Sequence, residues 1–306
     1  MKTPEHLARF PLAAAAFLSL GVAVSSAFGQ SAADESPAKH PHATLSLVSA
    51  SQSWHPGTPL LLAFNLDIEE GWHTYWRGIS DTGQPPVFNL TLPEGFVAQP
   101  AVWPAPHREI STFVDALDHI YEHHLTVVVP VQTPAPGTPG AAAKSVHFKA
   151  SGVWLVCKNA CVPEKGEASL DLPQGAGEDA STHATRITST LAQAGRPWSE
   201  APSGASINHT SAADAATCTI TVPGASWLAF YPDQHCLPMP SLFSEGEAKG
   251  PALRLTLAPK DDPEATRVTG LLEVRGLGDK PQFFTVDELV ISGAPSKAAP
   301  PPESHK

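Results

Sequence analysis

Gly152-Val153-Trp154-Leu155-Val156-Cys157-Lys158-Asn159-Ala160-Cys161-Val162-Pro163-Glu164 sets an apolar run before two cysteines with three residues between them, and then a proline. A disulfide needs its Cα atoms within roughly 7 Å, whereas four residues of extended chain span about 13 Å, so a bridge here requires the backbone to reverse. Lys158-Asn159 can supply that reversal, because Asn tolerates left-handed dihedrals. With residues 146–156 and 166–172 read as strands, the pair sits at the tip of a β-hairpin. Closing so short a loop removes little chain entropy. The spacing therefore favours a redox role over a structural staple, with half of a metal site as the third reading.

Outward from the hairpin, short strands dominate. The chain has 306 residues, enough for two domains of common size, and 42% apolar with 7% aromatic residues supply a core. Thirty-two prolines and 22 glycines suit many short strands joined by turns and argue against long helices. Upstream, residues 59–68, 71–76, 87–92, 95–103 and 124–131 read as strands, which makes 43–175 a sandwich of immunoglobulin-like type. Downstream, Thr185–Ala194 has the texture of one short helix stopped by Gly195 and Pro197, and residues 176–200 read as a helical connector. Alternation returns at 218–222, 227–231, 253–257, 268–274 and 282–286, so 201–291 is expected to form a second, smaller sandwich. The fold class is all-β, two immunoglobulin-like sandwiches joined by that connector.

The ends read differently. Lys2 and Arg9, the apolar stretch Phe10–Val24 and the small residues around Ser25–Gly29 have the order of a secretory signal, residues 1–29. Residues 30–42 and 292–306 read as a disordered lead and tail. Residues 1–29 hold two basic and one acidic side chain, so their removal moves the net charge from −11 to −12. Such an acidic chain is a poor nucleic-acid binder. A soluble protein in an oxidising compartment, where disulfides persist, is expected.

Several motifs together carry a family resemblance: Gly71-Trp72-His73-Thr74-Tyr75-Trp76, Asp81-Thr82-Gly83-Gln84-Pro85, Trp103-Pro104, Tyr121-Glu122 before a strand ending Val129-Pro130-Val131, and Cys157 to Pro163-Glu164. The chain resembles the periplasmic N-terminal domain of the thiol:disulfide interchange protein DsbD, and more closely its variant in the ScsB (suppressor of copper sensitivity) group. The resemblance covers residues 43–173 and extends more weakly to Phe230-Tyr231-Pro232 and 269–274. It implies a periplasmic immunoglobulin-like domain that takes electrons from a membrane-embedded DsbD/ScsB-type conduit, here in trans, and passes them to oxidised periplasmic thiol–disulfide proteins. It further implies that Cys161 is the sulfur attacked by partners and Cys157 the resolving one. By the same resemblance the segment Trp103–Tyr121 is a cap with Phe113 as the shielding ring, and Tyr75 lies near the cysteines. DsbD itself places five residues between its cysteines where this chain has three.

Other residues carry readings from their own chemistry. Trp72, Tyr75, Phe113 and Trp154 can wall the sulfurs from solvent or serve as sandwich core. Lys158 and Lys165 can favour a thiolate, but exposed lysines act weakly. Cys218 and Cys236 are expected to form a structural disulfide, because pairing 157–161 and 218–236 keeps each bridge within one domain. His119 and His123 offer a metal reading that the strand period beyond His124 weakens, and no metal or small-molecule cofactor is expected. No G-x-S-x-G, H-E-x-x-H or phosphate-cradling loop is present. Three functions follow in order: a protein-disulfide oxidoreductase, a periplasmic copper-binding or copper-tolerance factor, and a non-catalytic interaction module.

Overall fold

The computed structural model describes residues 40–111, 115–176, 179–211, 216–240, 242–258 and 267–289. The residues expected to form a signal, most of the expected lead, the expected tail and Phe113 lie outside the described residues. Ten strands build the first half: β1 (Ala43–Ser49), β2 (Leu60–Ile68), β3 (His73–Tyr75), β4 (Val87–Thr91), β5 (Val97–Ala98), β6 (His107–Ser111), β7 (Ala116–Glu122), β8 (His124–Gln132), β9 (Ser145–Cys157) and β10 (Cys161–Pro173). Helix α1 (Ala184–Gln193) follows. The second half holds β11 (Arg196–Pro197), β12 (Ser206–Ser211), β13 (Ala216–Thr221), β14 (Trp227–Pro232), the one-turn α2 (Leu242–Glu245), β15 (Glu247–Lys249), β16 (Ala252–Leu257), β17 (Arg267–Arg275) and β18 (Gln282–Leu289). The chain is all-β, with immunoglobulin-like sandwich architecture.

In the first sandwich a sheet of order β1-β2-β8-β5 faces one of order β10-β9-β3-β7-β6, with β4 also paired to β9. The reason lies in the alternation of β9: Val146, Phe148, Ala150, Trp154 and Val156 are buried while Lys149 and Val153 point out. Burying each large apolar side chain contributes about 1.5–3 kcal/mol. A slip of one residue would turn the whole set outward. That cost fixes the β9–β10 register, which places Cys157 opposite Cys161.

Helix α1 does not hang free between the halves. Its Ile187, fully buried, packs on Val48, Ala63 and Val128, on the side of the β2–β8 sheet away from the main core. Arg186 pins it by donating to Asn65 Oδ1 at 2.8 Å and reaching Asp67 at 3.4 Å. The sheet is thus covered on both faces, which explains why Leu60–Phe64 is continuously apolar instead of alternating.

The second half stacks a sheet of order β11-β18-β17-β14-β15 on β12-β13-β16. The larger core runs on from the first sandwich into Ala229, Tyr231 and Leu271. At this junction Tyr231 packs edge-on to Trp76 and His119, and its hydroxyl donates to Glu273 at 2.7 Å. Ile79 N–H donates to the Pro232 carbonyl at 3.1 Å, and Arg108 donates to the carbonyls of Leu242 (2.6 Å) and Phe243 (3.1 Å). Gly78 permits this approach, since a Cβ there would lie 2.1 Å from the Trp76 ring and 2.3 Å from the Pro232 oxygen.

Candidate functional site

At the hairpin tip Cys157 and Cys161 are joined, S–S 2.01 Å, with their Cα atoms 4.1 Å apart. The turn closes with Lys158 N–H donating to the Ala160 carbonyl at 3.3 Å. Asn159 does not take the left-handed conformation expected of it: the described non-glycine residues with positive φ are Asp115 and His123. The antiparallel register alone brings the cysteines together.

The two sulfurs have different surroundings. Cys157 is 4% exposed and packs with Tyr75 and Ile120, Leu155 lying against them, in a small cluster separate from the sandwich core. Cys161 is exposed at the start of β10. Strand β3 sets this asymmetry, pairing His73 with Cys157 on one side and Tyr75 with Ile120 on the other. Thr74 Oγ1 donates to the Leu155 carbonyl at 2.8 Å and locks β3 to β9. The Tyr75 hydroxyl donates to Cys157 Sγ at 3.0 Å and lies 3.5 Å from Cys161 Sγ. Burial pushes the Tyr75 phenol upward in pKa, which keeps it protonated and able to donate.

Over the Tyr75 ring lies the turn Asp81-Thr82-Gly83. A Cβ on Gly83 would sit 2.0 Å from Tyr75 Cζ, so only glycine lets the backbone lie flat there. Thr82 Oγ1 is 3.4 Å from the Tyr75 hydroxyl. Thr82 also holds the Asp118 carboxylate twice, through its backbone N–H to Oδ1 at 2.9 Å and its hydroxyl to Oδ2. Asp81 Oδ2 accepts from Leu117 N–H at 2.7 Å and ties the turn to β7. Sequence alone marks 81–85 as a motif but attaches no role to Thr82 or Gly83, and nothing in it singles out Asp118, 36 residues further on.

The remaining candidates sit elsewhere. Trp72 stacks on His42, ring centroids 3.7 Å apart. Trp154 is buried in the core, with its indole N–H donating to Glu164 at 3.3 Å. Of the four aromatic rings proposed as a wall, Tyr75 hydrogen-bonds the disulfide. The segment expected to act as a cap forms the β6–β7 pair, fastened by the Tyr121 hydroxyl donating to the Pro104 carbonyl at 2.7 Å, while Phe113 lies outside the described residues. Lys158 folds back over Gly71, whereas Lys165 pairs opposite Val153, well down the hairpin.

Cys218 and Cys236 are not bonded, contrary to the sequence expectation: both are free and buried in the core of the second sandwich. Burial pushes each thiol's pKa up to about 12. Each fills core volume as a small hydrophobe. His119 and His123 part company, His119 sealed at the junction and His123 in the turn between β7 and β8. Among the described residues no group of three or more His, Cys, Asp or Glu could hold a metal, and no helix is long and apolar enough to cross a membrane.

Comparison with known proteins agrees with this geometry. Residues 44–173 match the sequence model of the N-terminal domain of thiol:disulfide interchange protein DsbD. The N-terminal periplasmic domain of ScsB from Proteus mirabilis superposes with a TM-score of 0.53 at 16% identity, over 82% of this chain and 94% of that one. The N-terminal domain of Neisseria meningitidis DsbD in the reduced form aligns at 10% identity and a TM-score of 0.26, over 45% of this chain and 90% of that one. No curated protein matches by sequence. With the matched motifs and the bonded hairpin tip in place, residues 44–173 of this chain are similar to the N-terminal domain of DsbD, within a fold shared with the ScsB periplasmic domain.

Proposed function

We propose that the chain is a periplasmic thiol–disulfide exchange protein that relays electrons from a reduced membrane partner to oxidised periplasmic proteins. The observation that carries this reading is the asymmetry of the Cys157–Cys161 disulfide, one sulfur open to an attacking thiolate and the other buried beneath a phenol donor.

A thiolate of the reduced partner attacks Cys161 Sγ in line with the S–S bond, forming a mixed disulfide while the electron pair leaves on Cys157 Sγ. The Tyr75 hydroxyl, already 3.0 Å away, stabilises that charge. The partner's second thiolate then attacks its own bonded sulfur, releasing Cys161 and leaving the partner as a disulfide. In the onward transfer the Cys161 thiolate attacks an oxidised client, and Cys157 displaces the reduced client by closing on Cys161. Two electrons and two protons pass in each half-cycle, with no organic cofactor.

Trapping tests the assignment. A Cys157→Ala variant is expected to accumulate mixed disulfides through Cys161, whereas Cys161→Ala should accumulate few; the reverse pattern would exchange the two roles. A reduction potential of the parent below about −300 mV would mark the pair as an inert staple and end the proposal.

A further inference from the structure

We propose that Asp118 is the proton station for the buried Cys157 thiol, acting through Thr82 and Tyr75. The inference rests on the exchange chemistry above and adds to it the route by which the proton travels.

The problem it answers is set by burial. Whenever Cys157 closes on Cys161 it must lose a proton, and whenever the bond opens its sulfur must regain one. At 4% exposure, beneath Tyr75 and Ile120, the sulfur has little access to bulk water. The hydrogen bonds leading away from it run through the Tyr75 hydroxyl at 3.0 Å to Thr82 Oγ1 at 3.4 Å, and from Thr82 to Asp118 Oδ2. Tyrosine and threonine hydroxyls each accept one proton and donate another, so a proton can pass without either becoming charged. On closure the Cys157 proton moves to Tyr75 O, the Tyr75 proton to Thr82 Oγ1 and the Thr82 proton to the Asp118 carboxylate. The freed electron pair of Cys157 then forms the S–S bond with Cys161, and the mixed-disulfide partner leaves as a thiolate. Opening runs the same transfers backwards and returns Asp118 to its carboxylate form.

The structure holds Asp118 for this task. It is 9% exposed, and Thr82 fixes both of its oxygens, so its geometry toward the chain is set before any reaction. Titratable neighbours are Tyr75 and His73 on β3, His119 beside it on β7, Glu109 opposite on β6, and Asp81 in the covering turn. His73 is the rival base. Its ring packs edge-on against Tyr75, 5.4 Å between centroids, and makes no hydrogen bond to either sulfur. Asp118 and Thr82 are positioning residues, acting on sulfur only through Tyr75.

The test uses the full chain as a mixed disulfide with glutathione at Cys161, and follows closure of the Cys157–Cys161 bond by glutathione release across pH. Asp118→Asn is expected to slow closure by about a hundredfold, the lower range for loss of a positioned base, and to abolish the acid limb of the parent's profile. Thr82→Val should reproduce that loss, and Thr82→Ser should restore parental rates, a pattern that loss of structure would not give. Alkylation of exposed Cys161 in the reduced chain should be unchanged in all three. Closure profiles of Asp118→Asn and Thr82→Val that superimpose on the parent's would overturn the proposal, as would an acid limb lost instead in His73→Asn. If Asp118→Asn does not fold, the Thr82 pair decides. A parent chain that never closes would remove the exchange reading itself, whereas a closing parent with indifferent variants removes only the proton route.

Discussion

Replacing Gly83 by alanine adds one methyl group at the point where the 81–83 turn crosses the Tyr75 ring. The new Cβ would meet Tyr75 Cζ, Cε2 and Cε1 at 2.0, 2.2 and 2.3 Å. Carbon atoms in contact sit about 3.5–4.0 Å apart, so ring and turn must separate by roughly 1.5 Å. Tyr75 is 1% exposed and has no free space to enter. Overpacking of this kind costs about 1–3 kcal/mol. The same displacement stretches the 3.0 Å contact from the Tyr75 hydroxyl to Cys157 Sγ, so the buried sulfur loses its donor. Gly278 supplies the control, because no atom lies within 4 Å of a Cβ built there and its φ is not in the left-handed region. Alanine at 278 restricts the unfolded chain and should be neutral or stabilising by up to about 1 kcal/mol. Urea unfolding of the oxidised proteins, followed by tryptophan fluorescence, reads both changes. A Gly83→Ala midpoint equal to that of Gly278→Ala would refute the packing argument, and with it the claim that the turn holds Tyr75 against the disulfide.

Two further outcomes follow from buried titratable groups. His119 is fully buried, and desolvation lowers its pKa from 6.5 to about 4, so between those values the unfolded chain binds the proton and the folded chain does not. Its contribution is therefore fully present above about pH 6.5, falls as the pH drops and is lost by about pH 4, amounting to about 3 kcal/mol. His119→Asn should flatten the stability profile over that window, and an unchanged slope would show that the imidazole is hydrated. Cys218 and Cys236, buried with thiol pKa values of about 12, should resist a disulfide reagent at neutral pH in the folded oxidised protein and both react after denaturation. Rapid labelling of the native chain would contradict their place in the core.

The hairpin and its bonded tip were legible because two independent signals coincide in 146–161: a period of two along β9 and a cysteine spacing that only a reversal can bridge. The helix after the first sandwich was legible as a helix. Its docking was hidden, since a single side chain, Ile187, makes the buried contact, and the matching clue, the unbroken apolar run of β2, reads equally well as a buried strand. Thr82 and Asp118 meet only because β3 and β7 are neighbours in the sheet, a relation that no local pattern encodes. Cys218 and Cys236 misled for the opposite reason. Their spacing allows a bridge, but the surrounding Leu228, Phe230 and Val268 make a core in which thiols serve as filling. Trp72, which could wall the sulfurs or serve as core, stacks flat on His42, a partner that no local pattern announces.

The imidazole lodged where the two halves meet has a mechanical meaning. His119 donates from Nδ1 to the Ile79 carbonyl at 2.6 Å, leaves Nε2 without a partner, and is covered by Tyr231 from the other half. Prying the halves apart would wet that ring and let it take up a charge the closed molecule refuses. Acid therefore works as a wedge at this seam. The face it would bare belongs to the strand that also carries Asp118, so the seam and the sulfur chemistry share one piece of backbone.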